Sequence, residues 1–202
     1  MDDHEKAITP NESLKLIEEM INRARNNFGD NGHLYLLWGW VIALCSLGHF
    51  VMWHFRLVAH PEMIWMVTWA TMIYQAVYLR KRKKASRVKT YSDDILGYVW
   101  LVFVVCLALT AFVLIQYKER QALYSMFLVL YGVPTFLSGK VLKVRELTIG
   151  GVFCWVLAIA STFIIVKFQL LLIMLSVIVA WIVPGYAMKA KYNKQKLYGE
   201  GE

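Results

Sequence analysis

Charge is missing where this chain is most apolar. Six long stretches contain no Asp, Glu, Lys or Arg: Leu34 to Phe55, Met63 to Leu79, Ile95 to Tyr117, Gln121 to Gly139, Leu147 to Val166 and Phe168 to Met188. Ionisable groups inside a membrane usually mark a proton or ion path. Their absence argues against a carboxylate-based proton or sodium transporter, and against a buried two-carboxylate hydrolase. Familiar fingerprints are missing too. The chain has no P-loop, paired-glycine dinucleotide turn, His-Glu-x-x-His or Cys-x-x-Cys. Ser138, in Leu137-Ser138-Gly139, has no nucleophile motif around it. Asp93 and Asp94 suit the start of a helix, where the dipole favours negative charge. We therefore expect no enzyme, catalytic residue, cofactor or metal. Cys45, Cys106 and Cys154, the only cysteines, fall in three different stretches and read as small buried residues. The start, Met1-Asp2-Asp3-His4-Glu5, is acidic, and the first apolar stretch begins only at residue 34, so no secretory signal peptide is expected.

What is present points to lipid. The chain has 202 residues, 58% hydrophobic and 18% charged, whereas soluble domains are about half apolar and roughly a quarter charged. A bilayer core takes about 20 residues of helix, with a range of roughly 17–25, and each stretch is of that size. Backbone in lipid must satisfy its own hydrogen bonds, which leaves helices or a closed barrel. Barrel strands run to about ten residues and alternate apolar with polar; these stretches do neither. The expected fold is all-α: a polytopic bundle of six transmembrane helices, at about 34–55, 63–79, 95–117, 121–139, 147–166 and 168–188. A cytoplasmic amphipathic segment (1–32) precedes the membrane domain (33–188), and a basic tail (189–202) follows it. Loosely similar openings at Gly39-Trp40, Gly97-Tyr98 and Gly151-Val152, with Val133-Pro134 matched by Val183-Pro184, suggest three tandem helical hairpins.

Sidedness follows from the basic residues. Eighteen of the 22 Lys and Arg lie in the N-terminal segment, in 80–89, in 140–145 and in the tail; Arg56, Lys118, Arg120 and Lys167 lie on the other side. The positive-inside rule then places both termini in the cytoplasm. The run Arg80-Lys81-Arg82-Lys83-Lys84 is read as a topology anchor, and no nucleic-acid partner is expected.

Thr9-Pro10-Asn11-Glu12 reads as a capped helix start. Leu14, Ile17, Met20, Ile21, Ala24 and Phe28 then form one apolar stripe, and Gly29-Asp30-Asn31-Gly32 ends the helix. The helix is expected to pack beneath its own bundle, with the inner leaflet or a protein partner as alternatives; besides the lipid bilayer, a protein partner docking on this helix or on loop 80–89 is one reading, and a homo-oligomer is left open.

Four residues stand out as candidates. His49 is the one ionisable side chain well inside a stretch, and Cys45 shares its helix face, with Trp53 a turn further. A metal, haem or proton-relay role is one reading, with His54, His60, Met52 and Met63 nearby; a neutral imidazole bonded to a neighbouring helix is the plainer one. Pro134 and Pro184 deprive the carbonyls of Leu130 and Ala180 of a donor and should kink their helices. Gly150, Cys154, Ala158 and Thr162 recur every four residues and offer a groove for a close-packed helix.

Gly32-His33-Leu34-Tyr35-Leu36-Leu37-Trp38-Gly39-Trp40, Leu137-Ser138-Gly139-Lys140-Val141-Leu142-Lys143, Ile149-Gly150-Gly151 and Ile182-Val183-Pro184-Gly185-Tyr186 give the chain its resemblance. It resembles a family of uncharacterised six-span bacterial inner-membrane proteins. The resemblance implies a bacterial cytoplasmic membrane location and carries over no activity or functional residue. Two functions fit: a non-enzymatic membrane subunit or scaffold that binds or regulates a partner, and a small channel or transporter for a neutral or weakly polar solute. A continuous polar cavity lined by Thr68, Thr71, Gln75, Ser125, Thr135 and Ser161 would favour the second; a dry, closed core would favour the first.

Overall fold

The computed structural model describes residues 32–85 and 91–199, and the described residues form helices and turns with no strand. The segment expected to form the amphipathic N-terminal helix, part of the basic loop and the last three residues lie outside them. Helix α1 spans Gly32–His54. A 3-10 turn at Pro61–Trp65 leads into α2, Met66–Ala85. Helices α3 (Tyr91–Gln116), α4 (Arg120–Val141) and α5 (Arg145–Ser161) follow. The last helix, α6, starts at Val166–Val177, widens into a π-helical segment at Ile178–Ile182 and continues as α-helix over Val183–Gly199.

Among the described residues, six helices occupy the six apolar stretches, but four are long and apolar enough to cross a membrane: Gly32–His54, Asp94–Gln116, Arg120–Val141 and Val166–Lys194. The other two fall short for separate reasons. The second stretch is divided: its first residues form the 3-10 turn, and α2 then runs on into Arg80-Lys81-Arg82-Lys83-Lys84. The fifth stretch is cut by the turn at 162–165, leaving α5 with 17 residues, about 25 Å at 1.5 Å per residue. The expected tail beyond residue 188 instead prolongs α6.

The tight loops have a common construction. Arg56, Lys118 and Lys143 are the described non-glycine residues with positive φ, at 52°, 58° and 55°. Around Lys118, Glu119 N donates to the Leu114 carbonyl and Lys118 N to that of Ile115. Around Lys143, Val144 N donates to Gly139 and Lys143 N to Lys140. These are Schellman endings, in which a left-handed residue closes the last carbonyls of a helix. A basic side chain stands where glycine is usual.

The core lies among α1, α4, α5 and α6. Leu128, Leu147, Cys154, Leu170, Ile173 and Val177 are fully enclosed there. The most extensive pairing is α4 with α5, which joins the second and third expected hairpins rather than the helices within one. Helix α2 packs chiefly on α1 and on its own preceding turn, and α3 chiefly on α4. In lipid there is little hydrophobic force between helices, so close contact of small residues supplies the cohesion. Gly150 shows this. A Cβ there would lie 2.6 Å from Ala180 Cα, so α5 and α6 touch backbone to backbone. The groove of Gly150, Cys154 and Ala158 is filled from within the chain by α6; Thr162 is exposed and bonds its own helix at the Ile159 carbonyl.

Ring contacts sort the helix ends into two faces. His33 meets Tyr78 with ring centres 5.3 Å apart, and Lys191 Nζ pairs with Glu146 Oε1 at 3.1 Å. Gly32 lies against Gly185 and Met188, so one face gathers the start of α1, the end of α2, the start of α5 and the end of α6. At the opposite face, Phe50 meets Phe168 at 5.7 Å and Gln121 Nε2 donates to the Ile164 carbonyl.

Candidate functional site

Cys45 and His49 sit one helical turn apart on α1, both buried, and both face the 3-10 turn. Trp65 Nε1 donates to His49 Nδ1 at 2.9 Å. The nitrogen that accepts carries no hydrogen, so neutral His49 holds its proton on Nε2. The Cys45 thiol donates to the Ile64 carbonyl at 3.6 Å. Between them, Gly48 leaves room for the Ile64 side chain, because a Cβ at 48 would stand 2.5 Å from Ile64 Cδ1. The His49 ring also stacks on Trp53 at 5.6 Å and meets Tyr124 of α4 edge-on at 6.4 Å. Cys45, Gly48 and His49 together form a dock for the turn.

The other residues of the expected metal neighbourhood are arranged differently. His54 is exposed and packs against Phe50, Phe55 and Phe168. His60 is exposed and lies 3.3 Å from Glu62. The Glu62 carboxylate is held below the usual carboxylate range by its own backbone amide and then by His60. Met52, Val58, Ala59, His60, Met63 and Ile64 line a shallow, mostly apolar hollow of about 480 Å³ beside the turn. Among the described residues, no three His, Cys, Asp or Glu come together as metal ligands would. Sequence reasoning missed Ile64 and Trp65 as the partners of Cys45 and His49. Pro61, which opens the turn, was the available signal.

Pro134 and Pro184 are both fully enclosed, on neighbouring helices. A proline ring excludes the carbonyl four residues earlier and leaves nearby carbonyls open to other donors. In α4, Thr135 Oγ1 donates to the Tyr131 carbonyl at 2.7 Å, and Trp155 Nε1 of α5 donates to that of Val129 at 3.2 Å. Both acceptors flank Leu130. In α6 the adjustment takes another form, since the π-helical segment ends just before Val183-Pro184. Such widened turns recur at functional positions. Trp181, inside this segment, donates through Nε1 to Thr135 Oγ1 at 2.8 Å and so ties the two proline regions together. Tyr35, Trp100, Phe103 and Tyr131 form a connected aromatic cluster with Trp181, joining α1, α3, α4 and α6 at ring separations of 5.0 to 5.8 Å.

The six polar residues of the imagined solute path do not share a cavity wall. Thr68 and Thr71 donate to the carbonyls of Trp65 and Val67 on their own segment, and Gln75 accepts from Trp38 Nε1. All three lie on α2, away from α4 and α5. Ser125 and Ser161 hydroxyl oxygens lie 2.7 Å apart, with Ser161 also 2.6 Å from the Ala158 carbonyl. Gln169 Nε2 donates to the Ser161 carbonyl at 2.8 Å. Ser125, Ser161 and Gln169 therefore close helix contacts, while the buried Ser46 Oγ, Ser138 Oγ and Gln169 Oε1 make no hydrogen bond among the described residues.

The described residues thus form an all-helical fold with four helices long and apolar enough to cross a membrane and hydrogen-bonded helix contacts at its centre. Comparison with protein-family models, curated proteins and solved structures finds no match.

Proposed function

We propose that this chain is a multi-pass protein of a bacterial cytoplasmic membrane, and that it serves as a non-enzymatic subunit that binds or regulates a partner. The observation that carries this reading is the closed core. Ser125, Thr135, Ser161 and Gln169 spend hydrogen-bonding groups on their neighbours, and Thr68, Thr71 and Gln75 stand on the far side of α1. Six crossings, with α2 and α5 as the shorter two, put both termini on one face. The clustering of Lys140, Lys143, Arg145, Lys189 and Lys191 on that face supports a cytoplasmic side there. The exposed band of α3, including Leu101, Val105, Leu109 and Phe112, is then the surface offered to lipid or to a partner helix.

The channel reading draws on one observation, the π-helical segment beside Pro184. Mild detergent extraction followed by mass spectrometry, run beside uptake into liposomes holding the pure chain, decides between them. A stoichiometric partner with no saturable flux is the expected result. Saturable flux by the pure chain would reverse the choice.

A further inference from the structure

We propose that His49 is a proton-operated latch, holding the Pro61–Trp65 turn against α1 when neutral and releasing it when protonated. The bond that closes the latch runs from Trp65 Nε1 to His49 Nδ1. An indole nitrogen only donates, so this contact needs a bare imidazole nitrogen. In the imidazolium both nitrogens carry hydrogen. A ring flip cannot restore the bond, because either nitrogen would then point a hydrogen at a hydrogen. Histidine is the side chain whose charge ordinarily changes between pH 5 and 8.

Among the described residues, the one other hydrogen bond between the turn and α1 is the weak Cys45 thiol bond to the Ile64 carbonyl. The rest is apolar packing, with the Ile64 side chain on Gly48 and Trp65 against the core. Met63 and Glu62 are exposed. The groups around His49 give the imidazolium no neutralising contact. Trp53 stacks on it from α1, and Tyr124 of α4 meets it edge-on. The charged groups within electrostatic reach are Glu62 on the turn and Arg120 at the start of α4, of opposite sign. Release would uncover Cys45 and open the hollow lined by Met52, His60 and Met63. This inference stands apart from the partner-binding proposal, since it concerns only contacts within the chain.

Cys45 reports the latch, since it is 3% exposed beneath Ile64. The whole chain in mild detergent is treated with a pyridyl disulfide, a reagent that keeps its reactivity toward thiols in acid. Mass spectrometry then identifies the modified cysteine. Labelling of Cys45 should rise at least about tenfold between pH 8 and pH 5, while buried Cys154 stays unlabelled throughout. In His49→Gln the amide oxygen accepts from Trp65 at every pH, so labelling should stay low. In Trp65→Phe the turn keeps an aromatic ring but loses the bond, and labelling should be high at both pH values. His60→Asn removes the neighbouring histidine, which pairs with Glu62, and should leave the wild-type profile intact. A flat wild-type profile, or the same rise in His49→Gln, or its loss in His60→Asn, would overturn the latch. If His49→Gln fails to fold, the Trp65→Phe and His60→Asn profiles still decide it.

Discussion

Placing one methyl group at each of two glycines tests the helix packing sharply. At Gly150 a Cβ would lie 2.6 Å from Ala180 Cα, 3.1 Å from Ala180 Cβ and 3.3 Å from the Val179 carbonyl. Carbon atoms pack best at about 3.5–4.0 Å, so Gly150→Ala must push α5 and α6 apart by roughly 1 Å at their tightest point. Overpacking of this kind costs about 1–3 kcal/mol. Alanine returns about 0.5–1 kcal/mol by restricting the unfolded helix. The net expectation is a loss of up to about 2.5 kcal/mol. At Gly97 in α3 a Cβ meets nothing within 4 Å, so only the favourable part remains and Gly97→Ala should stabilise by about 0.5–1 kcal/mol. Both variants are measured by loss of helical circular dichroism in a denaturant series, in one detergent. Opposite signs support the close approach of α5 to α6. A Gly150→Ala variant as stable as Gly97→Ala would refute it.

Three further outcomes follow from the same contacts. Thr135→Val keeps the shape but strands the Trp181 indole N–H, buried at 2% exposure, and should cost about 1–3 kcal/mol; Thr135→Ser should recover most of it in the same denaturant series. Lys143→Gly and Lys118→Gly relieve left-handed backbone at φ 55° and 58° and should each stabilise by up to about 1 kcal/mol, read as a raised melting temperature. The Glu62 carboxylate is held below its ordinary range by its own amide and by His60. Its contribution is therefore present above the unfolded carboxylate range and fades as pH falls through the folded value. Its exposure keeps this small, so Glu62→Gln should leave the melting temperature nearly unchanged at pH 7 and differ from wild type least in acid.

The existence of the helices was legible because an uncharged run of this length has few other structures open to it. Their ends were not. Arg56, Lys118 and Lys143 occupy left-handed positions where a reader looks for glycine, so the loops carried no punctuation. The division of the second stretch into a 3-10 turn and α2 depended on tertiary contacts, with Ile64 seated on Gly48 and Trp65 bonded to His49. The pairing of Cys45 with His49 was visible as helical spacing, yet their partners lie 19 and 16 residues further on, beyond what periodicity reports. Pro134 and Pro184 were recognisable as breaks in the ladder. That one would leave α4 continuous and the other stand beside a π-helical segment depends on what each helix packs against. The small-residue groove in α5 was legible as a contact at Gly150, though not at Thr162, which is exposed, and its occupant, α6, came only from the fold.

Membrane embedding with two distinct faces is tested most directly by single engineered cysteines, in a chain otherwise free of reactive thiols, at Lys118 and at Lys191. Intact cells are treated with a membrane-impermeant maleimide before and after permeabilisation. The account expects position 118 to react in intact cells and position 191 only after the membrane is opened. Equal reaction of both positions in intact cells, or recovery of the chain in the detergent-free soluble fraction, would contradict it.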